Sequence, residues 1–204
     1  MNHPRRNFIK LSSAAAAWLG ISPSVSATGV SVSDVEKILE KGQTIRPVGQ
    51  ESVINLKKAP ISQVKVAMLG LGNRGTGQAS LVNALFPEKA KITAICDLRE
   101  ERIAPTLDKL KAAGQNPDVY TKDENAWMEM CRRDDVDLVI ICSPWDLHVP
   151  MAVYAMQQGK HVAIEVPAAM TLQGCWDLVN TAEEMQVNCM MLENVCYGEE
   201  ELWV

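Results

Sequence analysis

Several features that define other protein classes are absent from this sequence of 204 residues. It has six cysteines but neither a CxxC pair nor zinc-type spacing, which argues against a zinc centre, so we predict no metal site. Lysine and arginine are scattered after residue 28 rather than gathered into a basic stripe, which argues against a nucleic-acid partner. No internal repeat or low-complexity tract is present, which argues against a repeat protein.

A long apolar run is also missing. The N-terminal run at 11–21 has about a dozen residues, whereas ~20 are needed to span a bilayer, so we expect no stable membrane anchor. The run follows PRRNFIK (4–10) and precedes SPSVSATG (22–29), an arrangement typical of a removable export signal over residues 1–27. A buried helix or an anchor is the alternative interpretation.

The pair Arg5-Arg6, followed by Phe8, Ile9 and Lys10, resembles a twin-arginine signal, although Pro4 departs from the usual serine or threonine. This route exports proteins that have already folded and that often carry a cofactor. We therefore expect a periplasmic or secreted protein.

The remaining composition is that of a globular domain. Hydrophobic residues make up 47% of the chain and the net charge is −5, which suits one domain of ordinary size with an extension. The cysteines are expected to be buried free thiols, with Cys96 and Cys142 inside strand-like runs. The alternative is that two of them form a disulfide in an oxidising compartment.

Residues 28–63 predict an N-terminal arm, with a short helix at 31–42 and a loop at 44–62. From residue 64 to 197, apolar strand patterns alternate with helical ones. Unbroken apolar strands between helices predict an α/β fold, a doubly wound parallel sheet of the dinucleotide-binding type. The predicted strands are 64–70, 91–97, 119–121, 136–143, 161–165 and 188–194, and the helices are 74–86, 99–114, 123–133, 147–159 (with Pro150 in its first turn) and 171–186.

Gly70, Gly72 and Gly75 form a GxGxxG motif between the first strand and the first helix. Such glycines permit a tight turn, close approach to a pyrophosphate and close helix packing, and the helix N-terminus favours the phosphates. Asp97 closes the second strand, where a carboxylate accepts hydrogen bonds from ribose hydroxyls and repels a 2′-phosphate, so we predict NAD rather than NADP. A purely structural glycine turn is the alternative. Arg74 would steady the pyrophosphate or face solvent.

Other candidates follow later strands, whose carboxyl ends share one edge of the sheet. The turn 143–148 offers the flat face of Trp145 and the ring nitrogens of His148; alternatively it only caps a helix through Asp146. Glu165 ends its strand far from Lys160 and His161, so a charge there has little structural use and could bind the nicotinamide ribose. The alternative is an exposed strand-end carboxylate. Asn194 would reach the nicotinamide end.

The order GLGNRG, ICD, SPWDLH, EVP, LEN resembles the glucose–fructose oxidoreductase/inositol dehydrogenase family over residues 64–197. Many members carry Glu-Lys-Pro where this chain has Glu165-Val166-Pro167, and their lysine assists hydride transfer with a sugar hydroxyl. Val166 therefore argues against an ordinary dehydrogenase of the family.

The segments NRGTG, PWDLHVPMA, AIEVPAAM and MMLENVCYG resemble one branch, glycoside hydrolase family 109, whose members are NAD-dependent α-N-acetylgalactosaminidases. The resemblance implies NAD as the cofactor and a small-molecule substrate, the N-acetylgalactosaminide end of a glycan. It also implies the residues that contact NAD: Asn73, Arg74, Asp97, Trp145, Asp146, Leu147, His148, Glu165, Val166 and Asn194.

The same resemblance implies an enzyme with an unusual glycosidase mechanism. The sugar C3 hydroxyl is transiently oxidised, the acidified C2–H is removed by a base, and the glycosidic oxygen leaves by elimination; water then adds and the hydride returns. A sugar dehydrogenase and a non-catalytic NAD-binding fragment are the alternatives.

Relatives of this type have a second α+β domain that holds the sugar, and this domain is expected to be missing here. The tail at 198–204 departs from the family pattern, and no catalytic residue is assigned. Tyr197 could lie at the edge of the site, although packing suits it better. A homo-oligomer stays open.

Overall fold

The computed structural model describes Pro47 and residues 49–193. The predicted signal and arm helix, Asn194, Tyr197 and the atypical tail lie outside these residues. The described strands are β1 (Val64–Leu69), β2 (Ala90–Cys96), β3 (Asp118–Tyr120), β4 (Leu138–Ile141), β5 (His161–Glu165) and β6 (Cys189–Leu192). The described helices are α1 (Asn73–Asn83), α2 (Glu100–Ala112), α3 (Ala126–Cys131), α4 (Trp145–Gln157) and α5 (Leu172–Met185).

The six strands form one parallel sheet in the order β3-β2-β1-β4-β5-β6. This order confirms the predicted doubly wound sheet, because the chain works outward from β1 in one direction and then from β4 in the other. The order reverses between β1 and β4, which pair in the register Leu69↔Ile141. Ligands of such sheets bind beyond the carboxyl ends of the strands at this reversal.

Apolar side chains cover both faces of the sheet. One core cluster packs β4 and β5 against α3, α4 and α5, with Ile141, Met156 and Ile164 fully buried. The other packs β1 and β2 against α1 and α2, with Met68 and Ile92 fully buried. Burial on both faces explains why the strands are continuous apolar runs.

Several element ends differ from the prediction by two or three residues: β4 and α3 are shorter at both ends, α1 ends three residues earlier, and α4 begins and ends two residues earlier. This helix begins at Trp145, directly after Pro144, so Pro150 lies in its second turn rather than its first. The prediction placed the helix start too late; Pro150 therefore removes one intrahelical hydrogen bond instead of occupying a position that needs none. By contrast, β5 begins and ends where predicted, and Gly114 follows α2 with a φ of +84°.

The described part of the arm makes contacts with the α5 region. The Gln50 side chain donates to the backbone carbonyl of Asn180, and Val53 packs on the core cluster beneath α4 and α5. None of the helices in the described ranges is long and apolar enough to cross a membrane. The five described cysteines are free thiols, with Cys96 and Cys131 buried as expected; the expectation of a buried thiol is wrong for Cys175, which is exposed.

Candidate cofactor site

The glycine loop between β1 and α1 is shaped by two glycines that cannot be replaced without movement. Gly70 has a φ of +83°, and a Cβ there would lie 2.6 Å from the carbonyl oxygen of Cys142. A Cβ on Gly75 would overlap the carbonyl oxygen of Gly70 and lie 2.8 Å from its carbonyl carbon. Gly70 therefore allows the loop to pack closely on the residues after β4, and Gly75 allows α1 to pack closely on the loop.

Gly72 is different, because nothing in the fold requires its lack of a side chain. A Cβ there would lie 3.5 Å from Arg102 Nη1, an ordinary contact, and the backbone has a φ of −68°. Gly72 is the N-cap of α1 and no side chain caps the helix. The space over Gly72 and the unmet N–H groups of the first turn fit a phosphate group that approaches the backbone closely.

Asp97 lies at the end of β2 and is 9% exposed. Its Oδ2 accepts a hydrogen bond from the Leu71 N–H at 2.7 Å, and its Oδ1 accepts one from the Arg99 N–H at 2.9 Å. The carboxylate therefore ties the glycine loop to the start of α2, a structural role that the sequence did not indicate. Each oxygen keeps a second lone pair, so a ribose hydroxyl can still donate to it.

Glu165 is 4% exposed at the end of β5, so the alternative of an exposed strand-end carboxylate is wrong. Arg74 Nη2 donates to both Glu165 oxygens, at 3.0 and 3.1 Å, and Gln78 Nε2 donates to Oε1 at 2.6 Å. The expectation that a charge has little structural use there is also wrong, since the buried carboxylate is paired with a cation from α1. Gln78 was not among the predicted site residues.

His148 is buried, with 1% of its surface exposed. Its Nδ1 lies 2.8 Å from the carbonyl oxygen of Pro167, and its Nε2 lies 2.8 Å from that of Ser143. Both ring nitrogens thus face acceptors, and the ring joins the turn after β4 to the turn after β5. His148 lies between two loops of the site, and an N–H on either ring nitrogen would donate to one of these backbone carbonyls.

The other predicted residues of the α4 turn face solvent at the same edge. Trp145 is 60% exposed and Leu147 is 37% exposed, which leaves two apolar surfaces beside the glycine loop. Asp146 is exposed in the first turn of α4, and its side chain makes no capping hydrogen bond. Val166 is half-buried directly after β5.

Cys142 and Ser143 directly follow β4 and also line the candidate site. Burial, reinforced by the nearby Glu165 and opposed by Arg74, raises the pKa of the Cys142 thiol to about 12, so this thiol is neutral and not a nucleophile at neutral pH. The Ser143 hydroxyl is buried without a hydrogen-bond partner in the described residues. A buried hydroxyl left unpaired beside the glycine loop fits a site completed by a polar ligand.

Glycines, carboxylates and an arginine thus meet at the carboxyl edge of the sheet, beside the reversal of strand order. The open backbone at Gly72, the uncapped start of α1 and the unpaired Ser143 hydroxyl fit a dinucleotide with its pyrophosphate on the loop. Within the part of the chain that the structure describes, no group of three His, Cys, Asp or Glu side chains could hold a metal ion.

Comparison with known proteins agrees with this geometry. Residues 64–193 match the family model described as an oxidoreductase family with an NAD-binding Rossmann fold. An alpha-N-acetylgalactosaminidase from Bacteroides fragilis is 50% identical over 149 residues, which cover 72% of this chain and 34% of that protein. A glycosyl hydrolase family 109 protein from Shewanella amazonensis is 40% identical over 201 residues, covering 98% of this chain and 41% of that protein. The chain thus spans about two fifths or less of these relatives' length.

Solved structures show the same fold. An oxidoreductase from Klebsiella pneumoniae, 25% identical, has a TM-score of 0.58 over 69% of this chain and 37% of its own. The WlbA dehydrogenase from Bordetella pertussis, solved with NADH and UDP-GlcNAcA, has a TM-score of 0.60 at 18% identity, over 72% of this chain and 41% of its own. The matched region covers most of the described residues and includes the whole glycine loop. The chain therefore belongs to the oxidoreductase family with an NAD-binding Rossmann fold, and NAD is its cofactor.

Proposed function

We propose that the protein is an NAD-dependent glycosidase that hydrolyses α-N-acetylgalactosaminides. The observation that carries this proposal is the 50% identity with the Bacteroides fragilis alpha-N-acetylgalactosaminidase over 149 residues. The proposal covers the full-length protein, because the 149 matched residues cover only 34% of that relative.

Different residues of the chain would bind different parts of the cofactor. The N-terminus of α1, with the open backbone at Gly72 and the guanidinium of Arg74, would bind the pyrophosphate. Asp97 would accept hydrogen bonds from the adenosine ribose, and Glu165 would accept them from the nicotinamide ribose. Trp145 and Leu147 would cover the ligand with apolar surface.

Bound NAD would supply a reversible hydride acceptor for the sugar C3 hydroxyl, and the resulting C3 ketone would make the neighbouring C2–H acidic. The chain's part is to hold the nicotinamide end against the strand edge at Glu165 and Val166. Val166 places an apolar group directly after this carboxylate, where many dehydrogenases of the family carry a lysine. Lys160, the lysine nearest in sequence, lies at the opposite end of β5, where its amine donates to the carbonyl of Arg133. Because the hydride would return to the sugar, no NADH would have to be released from the site.

A sugar dehydrogenase is the second candidate, favoured by the family match itself, which describes oxidoreductases. The two functions differ in what leaves the active site. A glycosidase releases the aglycone without net formation of NADH, whereas a dehydrogenase forms NADH in proportion to the sugar it oxidises.

The test is a chromogenic α-N-acetylgalactosaminide incubated with the full-length protein and NAD, with the chromophore and NADH absorbance followed together. We expect release of the aglycone, dependence on NAD and no accumulation of NADH. The matched control is the β-anomer of the same substrate with the same aglycone. NADH accumulation without aglycone release would contradict the proposal and favour the dehydrogenase.

A further inference from the structure

The buried Glu165 carboxylate is held by two donors that lie four residues apart on α1. Arg74 Nη2 reaches both oxygens, and Gln78 Nε2 reaches Oε1 at 2.6 Å. Residues four apart occupy the same face of a helix, so both side chains point toward the end of β5. The oxygens of a carboxylate buried to this degree need hydrogen-bond donors in the protein, because water does not reach them freely.

The two donors differ in their freedom to leave. The Arg74 side chain is 55% exposed and stands in the first turn of α1, where a pyrophosphate would lie. Gln78 is half-buried one turn further along the helix. A phosphate at the start of α1 would compete with Glu165 for the guanidinium of Arg74, whereas it would not reach the amide of Gln78.

We propose that Gln78 is a positioning residue for NAD binding, which holds the Glu165 carboxylate at the strand edge when Arg74 turns to the pyrophosphate. This inference rests on the ribose-binding role proposed for Glu165. It is independent of which sugar the protein accepts. Without the amide of Gln78, Arg74 would have to serve the phosphate and the buried carboxylate together.

The experiment is a calorimetric titration of the full 204-residue chain with NAD. Gln78→Leu removes the donor and keeps a side chain of similar size, and we expect about tenfold weaker NAD binding, the effect of one hydrogen bond to a charged group. The matched control is Gln173→Leu, because Gln173 Nε2 donates to the Asp177 carboxylate at 2.8 Å on the exposed surface of α5. The control should bind NAD as the parent does.

A second variant separates positioning from packing. Gln78→Glu keeps the shape of the side chain but sets two carboxylates against each other, and a proton shared between them restores the hydrogen bond. We expect its NAD affinity to be well below the parent's at pH 8.5 and to approach it as the pH falls to 5.5. A packing role predicts a loss that is the same at each pH.

The other charged or titratable groups at the carboxyl edge of the neighbouring elements are Arg74 on α1, Cys142 after β4, His148 on α4 and Glu193 after β6. They are the same in the parent and in Gln78→Glu. Comparing the two proteins at each pH therefore removes their contribution.

Glu165→Gln separates failure of this inference from failure of the site assignment. If Glu165→Gln binds NAD as tightly as the parent, the ribose role of Glu165 is wrong and the role of Gln78 falls with it. If Glu165→Gln binds weakly but both Gln78 variants bind like the parent, or if the loss in Gln78→Glu does not change with pH, only the Gln78 proposal is overturned. Unfolding temperatures of all the variants confirm that each comparison is made on folded protein.

Discussion

Three glycines at the start of α1 should respond differently to the same added methyl group. In Gly75→Ala the new Cβ would overlap the carbonyl oxygen of Gly70, which is backbone and cannot turn aside. In Gly72→Ala it would make only an ordinary contact, 3.5 Å from Arg102 Nη1. In Gly77→Ala it would meet nothing within 4 Å, so this variant is the matched control.

The expected magnitudes follow from these contacts. Gly75→Ala forces backbone movement and should lower the free energy of unfolding by ~3 kcal/mol or more, the upper part of the range for overpacking. Gly72→Ala replaces an acceptable N-cap with a poorer one, a cost of roughly 0.5 kcal/mol. Gly77→Ala should stabilise an exposed helical position by about 1 kcal/mol. At roughly 2–4 °C per kcal/mol for a chain of this size, calorimetry resolves the three.

The NAD affinity of the same variants, measured by titration, tests where the pyrophosphate binds. The methyl group of Gly72→Ala would occupy the space in which the backbone approaches the pyrophosphate, so we expect NAD affinity to fall at least about tenfold in a protein that unfolds almost like the parent. Gly77→Ala should bind NAD normally. Parent-like affinity in Gly72→Ala would refute the placement of the pyrophosphate, and parent-like stability in Gly75→Ala would refute the packing of the loop.

Three further changes test other parts of the account. Asp97→Asn should narrow the preference for NAD over NADP in paired titrations and lower the unfolding free energy by about 1–3 kcal/mol, because one amide loses its acceptor; an unchanged preference would count against the 2′-phosphate argument. Burial, together with the charge of Lys58, lowers the pKa of His161 below 6.5. The neutral imidazole therefore contributes fully to the free energy of unfolding above pH 6.5, and this contribution is lost as the pH falls below 6.5. Urea unfolding at pH 7.5 and 5.5 should therefore show a smaller pH effect in His161→Gln, and equal effects would contradict this. Replacement of Arg5 and Arg6 by lysine should keep the protein in the cytoplasm, and its unchanged appearance in the periplasmic fraction would contradict twin-arginine export.

The sequence predicted the order of elements because the local signals agreed. Apolar runs of strand length alternate with helical patterns, and Gly114 marks the end of α2 with a positive φ. The start of α4 was misplaced because Pro150 was expected within the first helical turn, whereas Pro144 directly precedes the helix. Pro150 lies in the second turn of the helix, where it costs one intrahelical hydrogen bond; Pro105 has the same position in α2, whose pattern predicted the helix across it.

The placement of Gly70, Asp97 and Glu165 at strand ends was predictable from the sequence, because each follows or closes an apolar run; their roles in cofactor binding stay predictions. The internal hydrogen bonds of the site were not predictable, because the partners lie far apart in sequence. Glu165 and Gln78 are separated by 87 positions, and Asp97 meets the amide of Leu71 across 26. The spacing of Arg74 and Gln78 on one helix face was the available signal, since it directs both side chains to the same edge of the sheet.

The most direct measurement of the proposed function is the isotope content of the sugar that the full-length protein releases from an α-N-acetylgalactosaminide in D₂O. Removal of the C2–H by a base and its replacement from solvent predict deuterium at C2 of the released N-acetylgalactosamine, with no net formation of NADH. Released sugar without deuterium at C2, or release that continues without NAD, would contradict the account.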